Sequence, residues 1–103
     1  MAYTKTVSWT IPTTNVDGTP IAAGEITGYT IGIRPASGTA GTYPVTQAVP
    51  NAAATTAAVS LSLPSGNYFV SVQADGPQDS AWSTETAFTL APIPNPPTGV
   101  VVV

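Results

Sequence analysis

Two carboxylates stand four residues apart in "ADGPQDS" (Ala74–Ser80): Asp75 and Asp79, with Gln78 beside the second. Paired carboxylates can ligate a hard cation or divide general-acid and general-base work. A calcium site wants six to eight oxygens, more than this loop offers. A glycosidase pair needs a pocket that fixes the separation of the two groups. Asp75-Gly76-Pro77 has instead the composition of a tight turn, in which Asp bonds its own backbone. Asp17 in "VDGTP" reads the same way. Serines are plentiful, but the sequence has no His, so the commonest activating base is missing. It has no Cys, which removes disulfides, thiolate nucleophiles and thiolate metal sites. No Gly-rich loop leads into a phosphate-binding lysine. The expectation is a protein that is not an enzyme and takes no metal or cofactor.

Contact chemistry is better represented. Trp82 facing outward could stack on a sugar or a partner; its register with Phe88 and Leu90 favours packing instead. Phe69, on the outward register of its segment, is the stronger candidate for an exposed aromatic, and exposed large apolar residues often mark contact surfaces. Together with Asp75, Gln78 and Asp79, these two aromatics form the candidate partner-contact set. Nucleic acid is not an expected partner. Lys5 and Arg34 are the two basic residues against five acidic ones, a formal charge of −3, and this leaves no basic patch for phosphates or anionic lipid. No segment approaches the roughly 20 apolar residues of a membrane span, and "MAYTKTVSW" has no apolar stretch of leader length. The Met1 start reads as a complete cytosolically made product. Charged residues make up only 7% of the chain, so the expected surface is Thr, Ser, Ala, Gly and Pro. Disorder does not follow, because it couples low hydrophobicity to high net charge.

The elements that must position these residues are strands. Period-two alternation dominates and no window has helical spacing. "TVSWTI" puts Val7, Trp9 and Ile11 on one face, and "GYTIGIR" does so with Tyr29, Ile31 and Ile33. "AVSLSL" sets Val59, Leu61 and Leu63 against serines. "YFVSVQA" puts Tyr68, Val70, Val72 and Ala74 inside, with Phe69, Ser71 and Gln73 outside. "WSTETAFTL" aligns Trp82, Thr84, Thr86, Phe88 and Leu90. In "TYPVTQAV", Pro44 demotes the segment to an edge strand. Turn-forming Gly, Pro, Asn and Asp separate these runs, the pattern of an all-β sandwich or barrel with antiparallel, one-side-buried sheets. "APIPNPP" (Ala91–Pro97) is polyproline-like, a semi-rigid spacer.

From about Val7 to Leu90 the chain resembles a fibronectin type III domain. "VSWTIP" followed by "DGTPI" looks like that family's second strand and loop, with Trp9 as the core tryptophan. "ITGYTIGIRP" is similar to its third strand, with Tyr29 in the aromatic position. "LPSGNYFVSVQA" is the most specific match, resembling the tyrosine corner. The resemblance implies a seven-stranded antiparallel Greek-key sandwich, with Leu63 packed inward and Tyr68 bonded back to the main chain of the corner. Trp9, Tyr29, Leu63 and Tyr68 are its expected structural core. "AAGEI" lengthens the loop before the third strand relative to the family. The family's first strand, commonly P-P-x-x-V-x-V, is missing ahead of Val7, and "NPPTGVVVV" at the other terminus looks like it.

The expected organisation is therefore a sandwich over residues 1–90 lacking its N-terminal strand, then a Pro-rich connector and strand-like tail over 91–103. The connector Ala91–Pro96 reaches roughly 20 Å at about 3.3–3.6 Å per residue, barely the length of one strand. Return to the chain's own sheet is marginal, whereas insertion into a neighbouring copy is easy, a case of strand addition to an open edge. Pro96, Pro97, Val100, Val101, Val102 and Val103 form the expected assembly tail, and a head-to-tail array its expected product. By composition and analogy the chain suits a structural or adhesive bacteriophage virion protein, a capsid decoration or tail accessory, with a capsid or tail protein as second partner. The alternative is a carbohydrate- or surface-binding module of a larger extracellular bacterial protein.

Overall fold

The computed structural model describes residues 3–103. Six strands form: β1 (Tyr3–Ser8), β2 (Gly28–Pro35), β3 (Val45–Val49), β4 (Thr56–Leu61), β5 (Gly66–Asp75) and β6 (Thr86–Leu90). No helix occurs among the described residues. The strands make two antiparallel sheets, β1-β4 and β3-β2-β5-β6. β3 lies at the edge of the larger sheet, directly after Pro44.

The core draws on both sheets. Ile31 and Ile33 of β2, Tyr68 of β5 and Leu90 of β6 meet Val59 and Leu61 of β4 in one buried cluster. Alternation explains the choice, because residues two apart on a strand share a face. Trp9 and Leu63 pack half-buried against this cluster. Tyr29 is 1% exposed and lies 5.2 Å from Trp9 between ring centroids. Tyr29 Oη donates to the Ala52 carbonyl at 3.0 Å, which satisfies the polar tip of an otherwise apolar side chain. Tyr68 Oη donates to the Pro64 carbonyl at 2.7 Å and ties the start of β5 to the turn before it.

Three segments differ from the sequence expectation. β1 begins at Tyr3 and ends at Ser8, earlier than the expected Thr6–Ile11. Its inward row is Tyr3, Lys5 and Val7, opposite Leu61, Val59 and Ala57. Beyond it only the Trp9 N–H continues the pairing, to the Thr55 carbonyl, before the Pro12 region turns away. The last strand is also shorter than "WSTETAFTL". Over residues 80–84 the chain follows β5 through mixed bonds: the Ser83 and Ser80 N–H groups donate to the Val72 and Ala74 carbonyls, while Ser83 Oγ and Ser80 Oγ, in place of main-chain carbonyls, accept from the Val72 and Ala74 N–H groups at 3.0 and 2.9 Å. This break in regular pairing cancels the expected register, and Trp82 lies away from Phe88 and Leu90. Finally, Ser71, expected outside, is 1% exposed, because Ser83 folds over it and accepts its hydroxyl proton at the main chain (2.7 Å).

Tyr68→Phe tests the corner: loss of the bond to Pro64 is expected to lower unfolding free energy by about 0.5–1.5 kcal/mol in a urea titration, with the m-value unchanged.

Candidate functional site: an open strand edge and its groove

β1 hydrogen-bonds to β4 on one side and, among the described residues, to no strand on the other. In an antiparallel pair only alternate residues point their N–H and C=O at the partner, so the remaining groups of β1 face outward along this edge. Beneath the edge, between β1 and β6, opens a cavity of about 270 Å³. Val7 and Trp9 line one wall, Ile33, Val70 and Val72 the floor, and Thr86 and Phe88 the far wall. The sheets are spread apart here, so Val7, Val70, Val72 and Phe88 are only half-buried although they border the core. Lys5 is the one charged residue lining the groove. It stands on the inward row opposite Val59 yet remains exposed, its stem along apolar surface and its ammonium in water. An inward charge on an open edge is a recognised guard against indiscriminate edge pairing.

The tail lies elsewhere. Residues 91–103 form no ladder with any strand and are exposed throughout. Val100, Val101, Val102 and Val103 are 80%, 80%, 96% and 120% exposed, and Pro96 and Pro97 precede them, with Gly99 in left-handed backbone (φ 69°) between. The connector is fastened at its root, where Tyr3 Oη donates to the Ala91 carbonyl at 2.7 Å. From there the chain projects away, and the molecule measures 69 × 31 × 17 Å. The tail does not complete the edge of its own β1.

The expected partner-contact residues are dispersed. Phe69 is half-buried under Arg34, whose Cζ sits 4.5 Å from the ring centroid, so it is not the free aromatic the register implied. Trp82 packs on Tyr43 at 4.5 Å between centroids, above Gly32, where a Cβ would collide with both rings. This aromatic pair covers the outer face of β2 rather than closing the core. Asp75, at the end of β5, accepts from Thr30 Oγ1 of the neighbouring β2 at 2.6 Å, and Asp79 accepts from the Gly76 N–H of its own loop at 3.2 Å, so each carboxylate has a local structural partner. Gln78 and Asp79 are exposed at the rim of a cavity of about 470 Å³ lined also by Val16 and Ile21. No group of three metal-ligating side chains occurs among the described residues.

One interaction escaped the sequence reading. Arg34 grips Glu85 through both Nε (2.6 Å) and Nη2 (2.7 Å), a fork geometry that lets a buried guanidinium keep its charge. Tyr43 Oη also donates to Glu85 at 2.8 Å. The Arg34 bonds, opposed by burial and helped by Tyr43, hold the Glu85 carboxyl down at about 2. The only available signal was that Arg34 is the sole arginine, on the outward row of a strand whose inward row is apolar.

No family model matches the chain, and no curated protein or solved structure matches it either. The geometry of groove, edge and tail therefore stands alone.

Because Glu85 titrates lower folded than unfolded, its stabilisation is complete above the ordinary carboxylate value of 4.5 and is lost as pH falls towards about 2. Glu85→Gln is expected to lower Tm at pH 7 and to flatten the decline of Tm between pH 4.5 and 2; thermal melts across that range check both.

Proposed function

We propose that this protein is a non-enzymatic structural or adhesive component of a virion, a capsid decoration or tail accessory, whose subunits join by adding the C-terminal tail of one copy to the open sheet edge of another. The observation that carries this reading is the coincidence, in one chain, of an unpaired strand edge over an apolar groove and an unpaired, valine-rich, extended segment. A strand restored beside β1 would bring the sheets to three and four strands, the seven of a fibronectin type III-like Greek-key sandwich with its first strand displaced to the other terminus. The charge-poor, Thr- and Ala-rich composition suits a protein held in a larger array. The virion setting rests on that composition and on analogy of fold.

Strand addition gains backbone hydrogen bonds and valine burial against the entropy of ordering the tail. The four prolines between Ala91 and Pro97 reduce that entropy by restricting the free chain. Contacts of this size give weak association in dilute solution, strengthened when copies are held side by side on a capsid or tail. The sugar-binding alternative has less support, because Trp82, Tyr43 and Phe69 are engaged with one another's neighbours rather than presented as a stacking platform.

Multi-angle light scattering over a concentration series tests the reading. The full chain is expected to gain mass with concentration, and a variant lacking Pro97–Val103 to stay monomeric. Identical monomeric behaviour, with equal melting temperatures at high concentration, would refute tail exchange and favour a tail that belongs to something else.

A further inference from the structure

The groove does not stop at Trp9. The cavity under the edge shares Trp9, Val72 and Ser83 with a second one of about 240 Å³, lined also by Pro12, Tyr29 and Ala81. That second cavity shares Pro12, Ala74 and Ser80 with the large cavity between the 12–26 and 74–80 segments. A channel thus runs from Lys5, past the end of β1, to the pole where these loops meet; it is mostly apolar as far as Pro12, and Asp17, Glu25 and Asp79 line its far end. Its opposite end is different. At the Tyr3 pole the chain's own connector leaves, and Tyr3 is bonded to Ala91.

We infer that a neighbour's tail enters at the Trp9 pole and runs antiparallel to β1, with its prolines on the floor formed by Trp9, Pro12 and Ala81 and its valines in the groove between β1 and β6. This rests on the strand-addition reading and adds the polarity and the seat of each part. Three observations support it. A tail leaving at the Tyr3 pole travels away from its own domain, and a copy stacked in line in the same orientation meets it with the Trp9 pole. The reverse route, parallel to β1 from the Tyr3 pole, would cross the site where the acceptor's own connector departs, and parallel pairing is slightly weaker. Extended proline segments dock in aromatic-lined grooves, and here aromatic rings lie before the valine groove in the order that Pro96-Pro97 precedes Val100–Val103. Trp9 Nε1 is, among the described residues, the one buried side-chain polar atom without a hydrogen-bond partner.

In this arrangement Val100 and Val102 face inward near Val7 and Lys5, and Val101 and Val103 face outward near Thr6 and Thr4. Each copy donates at one pole and accepts at the other, so the array is open and polar rather than a reciprocal pair.

The chain has no native cysteine, so disulfide trapping reads this directly. Full-length Val103→Cys is mixed with full-length Thr4→Cys, Ser8→Cys or, as a remote control, Gln78→Cys, and mixed disulfides are quantified by mass spectrometry. In a companion pair, Pro96→Cys is mixed with Ala81→Cys. The expected result is several-fold more trapping of Val103 with Thr4 than with Ser8, and of Pro96 with Ala81 above control. Preferential trapping with Ser8 overturns the polarity while leaving strand addition standing. Trapping with Thr4 but not of Pro96 with Ala81 overturns the proline seat. Yields at the control level for every pair overturn both the inference and the strand-addition reading beneath it.

Discussion

Backbone N–H and C=O groups need partners, and a sheet edge displays a row of them unpaired. In this protein that constraint falls on β1. It belongs to a sheet of only two strands, and two strands with one partner each are marginal unless another layer covers them. The larger sheet supplies that layer through Ile31, Ile33 and Leu90, but its cover ends before the β1 edge, and the result is the groove over Val70, Val72 and Phe88. The small sheet's second edge and the groove are two aspects of one deficit, and the proposed strand addition assigns the detached tail to it. Lys5 guards the edge meanwhile: its charge on the inward row makes casual pairing costly without occupying the groove.

The opposite side of the molecule is built differently. There the outer face of the four-stranded sheet is closed by the chain's own residues. Tyr43 and Trp82 stack over Gly32, Ser83 seals Ser71, and Arg34 spans from Phe69 to Glu85. These contacts put two of the chain's seven charged residues and three of its eight aromatics to structural use. That leaves the groove, the tail and Val16 in the loop after β1 as the places where large apolar surface meets solvent.

Much of the fold was legible in the sequence because period-two alternation is a direct image of the pleat. Tyr29, Ile31 and Ile33, and likewise Val59 and Leu61, are buried where the pattern placed them. The pattern failed where a segment stops obeying the pleat. In residues 80–84 serine hydroxyls take the place of main-chain acceptors beside two remaining main-chain bonds, so extrapolating from Leu90 back to Trp82 put the indole on the wrong face. Phe69 was correctly placed on the outward row but not correctly judged exposed, because the cover over it comes from Arg34 within a long-range ion pair that alternation does not encode. The tail was legible as an apolar, valine-rich segment, and the structure gives it no strand partner. Its detachment from β1 and the channel leading to Trp9 required the three-dimensional arrangement, since both depend on where the chain leaves relative to where β1 begins.

The central claim is that the outward-facing backbone of β1 is completed by another copy. Hydrogen exchange of the full-length protein, followed residue by residue across a concentration series, addresses it without altering the sequence. The account predicts that the β1 amides not bonded to β4, and the amides of Val100–Val103, gain protection together as concentration rises. Exchange at both segments that stays fast and independent of concentration, up to the highest level reached, would contradict it.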